Sequence, residues 1–247
     1  MTKMIEKAPY TSIAKIYDYL MEDVDYKIWM DLIEEIFAHF KTEPKTILEL
    51  GCGTGSICVE LESRGYKMTG IDLAAEMIDF AKTKSDSVNF QVGDMRNFSF
   101  EEKFDSALCL FDSINYVHTL EEISQVLDKT YEVLKEGGIF IFDISTEVNS
   151  IQNFNGYYEA DQFEGFEYTF ESFYLRSDKM HLNQITVEHP DFAETYIEKH
   201  YQKVYKTEEL QEILEKSKFE ILGVFDGFEI EEATKESARV NFVLRKK

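Results

Sequence analysis

The chain predicts an α/β fold in which helices cover a largely parallel sheet, and three observations carry that prediction. Short apolar runs alternate with amphipathic segments across residues 46–144. Three glycines (Gly51, Gly53, Gly55) follow the first of these runs at every second position. Carboxylates recur where successive runs end, at Asp72, Asp94 and Asp112. Strand–helix alternation implies right-handed crossovers and therefore parallel strands. Open sheets of this kind take ligands in the crevice beyond the carboxyl ends of their strands.

The elements are read in order. The first 45 residues read as helices: Tyr10, Ala14 and Tyr17 lie at helical spacing, and Asp25 caps a second helix. In that second helix Ile28, Leu32, Ile36 and Phe40 recur every four residues beside Trp29, Ile33 and Phe37, and Pro44 ends it. Strands are expected at 46–50, 67–71, 88–92, 104–110 and 139–144, with helices at 55–64, 74–83 and 120–134; Gly137-Gly138 is the expected terminator of the last helix. Near residue 150 the pattern changes. Asn149 to Gly156 is polar and turn-rich, and Phe166–Glu171 alternates with period two. Met180–Glu188 and Glu194–Tyr205 follow as β-prone runs, so residues 149–205 read as an inserted antiparallel meander. A helix at 207–216 and strands at 218–225 and 238–245 close the sheet.

The strand ends suggest a nucleoside site. Glycine allows unusual backbone angles and close approach of a ligand. The spacing here is G-x-G-x-G followed by Ser56, distinct from the G-x-G-x-x-G dinucleotide fingerprint. Asp72 ends the second strand about 20 residues past the first glycine, where such sheets hold the ribose hydroxyls of an adenosine cofactor. Gly93-Asp94-Met95 and Phe111-Asp112-Ser113 end the third and fourth strands. For each aspartate taken alone, a helix cap or solvated turn explains the residue as well.

The Glu49–Gly55 loop, Ile71-Asp72, Gly93-Asp94-Met95, Phe104–Asp112 and Leu134–Gly138 before Ile139–Phe142 resemble, in order and spacing, a class I S-adenosylmethionine-dependent methyltransferase. Tyr10–Asp18 and Phe111–Tyr116 resemble its small-molecule subgroup, which includes glycine N-methyltransferases and amino-sugar N,N-dimethyltransferases. The resemblance implies a three-layer Rossmann-like fold, with a seven-stranded, mostly parallel sheet whose last strand is antiparallel. Residues 46–148 and 206–247 would bind the cofactor, 149–205 would form a substrate lobe, and the helices of 1–45 a lid. For S-adenosylmethionine, Gly51, Gly53 and Gly55 would supply the turn beside its amino-acid part. Glu49 would support that turn or meet the ammonium through water. Asp72 would accept from both ribose hydroxyls, with Leu73 against the adenine. Asp94 would take the adenine amino group and the Met95 N–H its ring. The Phe111 carbonyl would neighbour the ammonium, and Tyr17 would fold over the methionine end.

Methyl transfer is an in-line displacement, so positioning and exclusion of water dominate. An amine needs little beyond desolvation, whereas a hydroxyl needs a base. His118 is the catalytic candidate, with Tyr157 and Tyr158 of the insert beside it; a helix-capping or surface role serves His118 equally. Tyr26 and Trp29 are wall residues or ordinary packing. Nitrogen is favoured over oxygen as the acceptor atom.

Composition narrows the partners. A net charge of −22, from 48 acidic against 26 basic residues, disfavours nucleic acid and anionic membranes and suits a small neutral or cationic substrate. Met1–Lys7 lacks the apolar core of a signal peptide, and no stretch of about 18 apolar residues occurs. Cys52, Cys58 and Cys109 suit a reducing cytoplasm and have no metal-ligand spacing; neither do His39, His181, His189 and His200. The insert either exposes an edge for a homodimer or roofs the site. An RNA methyltransferase, a non-catalytic cofactor-binding module and an NAD-dependent oxidoreductase stand as alternatives. The glycine spacing and Asp94-Met95 weigh against the last.

Overall fold

A computed structural model describes residues 3–188 and 194–247, so His189 falls outside the described residues. In chain order the elements are β1 (Lys3–Lys7), α1 (Tyr17–Leu20), α2 (Tyr26–His39), β2 (Thr46–Leu50), α3 (Ser56–Ser63), β3 (Lys67–Asp72), α4 (Ala75–Lys84), β4 (Asn89–Val92) and β5 (Phe104–Cys109). A 3-10 turn at Ser113–Tyr116 leads to α5 (Leu120–Val133) and β6 (Leu134–Ser145). Next come α6 (Glu147–Asn149), which runs into a wide turn at Ser150–Phe154, then β7 (Tyr157–Phe163), β8 (Phe166–Leu175), β9 (Met180–Glu188) and β10 (Glu194–Lys203). The chain finishes with α7 (Thr207–Lys216), β11 (Phe219–Asp226) and β12 (Arg239–Lys246).

The main sheet has seven strands in the order β11-β12-β6-β5-β2-β3-β4. The pairings from β6 to β4 are parallel, and β12 runs antiparallel to both of its neighbours. Period-two alternation sends successive side chains to opposite faces. Leu48, Leu50, Phe140, Phe142 and Phe242 pack with α5 and α7 on one side. Ile47, Leu108, Ile139, Ile141 and Val243 pack with α2, α3 and α4 on the other. The result is the three-layer Rossmann-like arrangement. Phe142 lies opposite Phe242 across the β6–β12 ladder, and their rings stack at 4.8 Å. Each such buried side chain contributes roughly 1.5–3 kcal/mol.

A second sheet, in the order β1-β10-β9-β8-β7, stands beside the first. Here the N-terminal reading is corrected. Residues 3–7 form a strand parallel to β10, and helix is confined to the four residues of α1 before α2 begins. Residues 10–13 are not helical because their amides are committed elsewhere. The Tyr10, Ser12 and Ile13 N–H groups all donate to the Glu198 carboxylate on β10. Gly137 and Gly138 also play a different part from the one expected. α5 ends at Val133 and passes directly into β6, and the glycines sit in an irregularity of the β5–β6 ladder. A Cβ on Gly138 would lie 2.8 Å from the Lys135 carbonyl oxygen.

Candidate active site

β2 delivers the chain into a turn with φ of +70° at Gly51, +53° at Gly53 and +77° at Gly55. Only glycine adopts such angles without steric cost. The three positions differ in what surrounds them. A Cβ at Gly51 would sit 2.9 Å from Ser113 Cβ, and one at Gly55 2.5 Å from Phe90 Cζ; at Gly53 it would meet nothing within 4 Å. Gly51 and Gly55 therefore allow close internal packing, and Gly53 leaves the turn bare. Gly51 and Gly53 line a cavity of about 1060 Å³, whereas Gly55, at the start of α3, does not reach it.

The same cavity is lined by Glu49, Asp72, Leu73, Asp94, Met95 and Phe111, so the strand ends converge as the sequence suggests. Asp72 Oδ2 accepts from the Gly53 N–H and Oδ1 from the Ala74 N–H, each at 2.8 Å. Burial raises its pKa, against the pull of those amides. Leu73 is 66% exposed, a large apolar side chain left bare at the rim. Asp94 is gripped by the Arg96 guanidinium at 2.7 Å, which holds its carboxyl below the usual range. Arg96, which the sequence reading missed, also bonds Glu122 and lines the cavity. Glu49 is buried and its pKa is pushed up to about 8 by desolvation, opposed by a 2.9 Å hydrogen bond donated by the Cys58 thiol.

At the end of β5 the chain takes two consecutive left-handed residues, Phe111 (φ +55°) and Asp112 (φ +50°). Each costs about 1–2 kcal/mol for a residue with a Cβ. Their surroundings hold them. The Phe111 ring stacks on Trp29 at 4.3 Å, and the Arg239 guanidinium lies 5.2 Å from the Trp29 ring. Arg239 bonds Asp112 at 2.8 Å and also Asp143, while the Asp112 N–H donates to Asp143 Oδ2 at 3.0 Å. Trp29 thus supports the site from behind Phe111 and does not line the cavity.

The N-terminal segment closes the other side. Tyr17 and Tyr26 line the cavity. Next to Tyr17, Asp18 accepts from the Thr54 hydroxyl at 2.6 Å and pairs with Lys84 at 2.6 Å. Lys84 donates in turn to Thr54 and Ser56, at 3.0 and 3.1 Å. α1 is thereby latched onto the glycine turn.

The expected bases separate. His118 reaches the cavity, but its Nε2–H is donated to the Tyr201 carbonyl at 2.8 Å, which leaves Nδ1 as its acceptor. Tyr157 and Tyr158 do not line the cavity; they lie on the edge strand β7, and Tyr157 bonds Glu159. In their place stand Tyr10 and Tyr116, which the sequence reading did not propose as site residues. Behind them lie His200 and Glu198, both buried. The available signal was Glu198, His200 and Gln202, three polar residues at alternate positions of a strand. Among the described residues no cluster of His, Cys, Asp or Glu could hold a metal, and no helix is long and apolar enough to cross a membrane.

Residues 47–138 match the family model described as a methyltransferase domain. The chain is 32% identical over 244 residues to YqeM of Bacillus subtilis, a protein whose name places it among methyltransferases without a substrate; 96% of this chain and 97% of that one align. It is 26% identical over 132 residues to a dTDP-3-amino-3,4,6-trideoxy-alpha-D-glucopyranose N,N-dimethyltransferase of Streptomyces venezuelae, covering 53% and 56% of the two chains. Among solved structures, an S-adenosylmethionine-dependent methyltransferase from Clostridium acetobutylicum superposes with a TM-score of 0.80 at 27% identity, over 96% of this chain and 98% of that one.

Proposed function

Since the chain belongs to the S-adenosylmethionine-dependent methyltransferases, we propose that it methylates a nitrogen of a small-molecule acceptor held beneath the N-terminal tyrosines. The observation that carries this reading is one continuous cavity. It runs from the glycine turn and the ends of β3 and β4 to Tyr10, Tyr17, Tyr26 and Tyr116, and its volume lies at the upper end of the usual range for small-molecule sites. Nitrogen as the acceptor atom is supported by the Streptomyces venezuelae relative, which dimethylates an amino group on a sugar nucleotide. The acidic balance of the chain favours a small acceptor over RNA.

The residues fit the cofactor. Gly53 presents bare backbone where the amino-acid part would lie. In this reading Asp72 receives the ribose hydroxyls, and exposed Leu73 covers one face of the adenine. Asp94, kept ionised by Arg96, takes the exocyclic amino group, with the Met95 N–H beside it. Glu49 balances the ammonium near the Phe111 carbonyl. When bound, the cofactor supplies a methyl group on a positively charged sulfur. Tyrosine rings favour such a cation and exclude water from it. Tyr17, latched through Asp18, closes the cavity and sets the line of attack.

Calorimetric titration with S-adenosylmethionine and with NAD, followed by a turnover assay on amines, hydroxyls, thiols and RNA, tests the reading. Methyl transfer to amines, dTDP-amino sugars among them, is expected. Transfer only to RNA or hydroxyls, or binding without turnover on any acceptor, would overturn it.

A further inference from the structure

Behind the cavity runs a chain of hydrogen bonds that cofactor binding does not use. The Tyr10 hydroxyl lies 2.7 Å from the Tyr116 hydroxyl, which lies 3.0 Å from His200 Nδ1. His200 Nε2 lies 3.2 Å from Glu198 Oε2. Tyr10 and Tyr116 line the cavity; Glu198 and His200 are 0% and 2% exposed. We infer that these four residues form a proton relay that strips the acceptor ammonium of its proton, with Tyr10 as the receiving group. This rests on the amine reading above.

The far end of the chain fixes its direction. Glu198 accepts from the Tyr10 N–H at 2.6 Å, the Ser12 hydroxyl at 2.5 Å, the Ile13 N–H at 3.1 Å and the Ser12 N–H. These donors and His200 outweigh desolvation and keep Glu198 ionised. An ionised carboxylate only accepts, so His200 Nε2 carries the proton and Nδ1 is bare. Tyr116 must then donate to Nδ1, and Tyr10 to the Tyr116 oxygen. One lone pair of Tyr10 is left for the cavity. Burial raises both phenols well above 10, so they pass a proton on and do not store negative charge. Tyr17, Asp112 and Asp72 also act on these phenols, each disfavouring the phenolate.

A small amine reaches the enzyme mostly as R–NH3⁺, which has no lone pair for attack. In the relay one N–H bond breaks and its proton goes to the Tyr10 oxygen. The Tyr10 proton moves to Tyr116, and the Tyr116 proton to His200 Nδ1. The amine becomes neutral, and an imidazolium forms against the Glu198 carboxylate. When the cavity opens, the imidazolium returns its proton to water through the same hydroxyls. A general base in this position contributes about 10²–10⁴-fold.

The test compares Y10F, Y116F and H200Q with wild type, using a dTDP-3-amino sugar as acceptor and kcat/KM as a function of pH. The wild-type profile should stay flat well below the pKa of the amine. In the variants kcat/KM should fall about tenfold per pH unit below that pKa and approach wild type near pH 9.5, with S-adenosylmethionine affinity within twofold. A uniform loss at every pH, or unchanged profiles, would overturn the relay. An activity-independent readout is the ¹⁵N spectrum of His200, where a bare Nδ1 is expected and a protonated Nδ1 with a bare Nε2 would overturn it. Wild type that turns over no amine would remove the methylation reading and the relay with it. Wild-type turnover with indifferent variants removes the relay alone.

Discussion

At Asp72 one carboxylate ties the glycine turn to the end of β3 and, in the proposed reading, also receives the ribose. D72A removes both roles. Two lost hydrogen bonds to a charged group, at about 1.5–3 kcal/mol each, should weaken S-adenosylmethionine at least hundredfold by calorimetry, with the circular dichroism spectrum unchanged. Near-native affinity would contradict the assignment. Glu49 invites a different measurement. Its folded pKa is about 8 against a usual 4.5, so the unfolded chain ionises first and stability declines as pH rises between those values. An approaching ammonium should draw that pKa down, and binding near pH 7 should release a proton. Titrations in buffers of different ionisation enthalpy should show this release in wild type and lose the Glu49 share of it in E49Q. E49Q should also flatten the decline of Tm toward pH 8.

Among the elements, α1 is joined to the glycine turn by Asp18, Thr54 and Lys84, and that pairing is partly solvent-exposed. An exposed pair contributes about 1 kcal/mol or less to stability. D18N should therefore barely move Tm, yet raise the cofactor dissociation rate about tenfold in stopped flow and quicken proteolysis within residues 8–21. The junction between β2 and α3 behaves oppositely. G55A forces a side chain into a left-handed position against Phe90, at a cost of ~2–5 kcal/mol read by chemical denaturation. Elements with local signals were legible in the sequence: α2, the glycine turn, and the carboxylates at the ends of β3 and β4. β1 was not, because Lys-Met-Ile-Glu-Lys acquires its conformation from pairing with β10, nearly the whole chain away. The left-handed Phe111–Asp112 step was equally hidden, since Arg239 and Trp29, which hold it, come from opposite ends of the chain.

For the molecule as a whole, Arg239 on β12 bonds the buried Asp143 on β6 and the partly exposed Asp112 just past β5. R239M would leave the buried Asp143 without its counter-charge, a loss of about 3–5 kcal/mol. Burial already lifts the Asp143 pKa to about 6, so the variant should regain stability as pH falls from 8 to 5 and the folded Asp143 carboxyl takes up a proton. Denaturation curves at the two pH values check this. At this scale the sequence pointed to residues that line the glycine-turn half of the cavity and missed most of the opposite half, where Tyr10, Tyr116, His200 and Glu198 come together although Tyr10 and Glu198 lie 188 positions apart. That separation has a consequence during synthesis. Residues 3–13 have no resting place until the strand bearing Glu198 has been synthesised. A nascent chain stopped before that strand would retain the glycine turn and lack the wall that faces it. Competence for the reaction is thus expected late in translation, well after the Rossmann half has begun to fold.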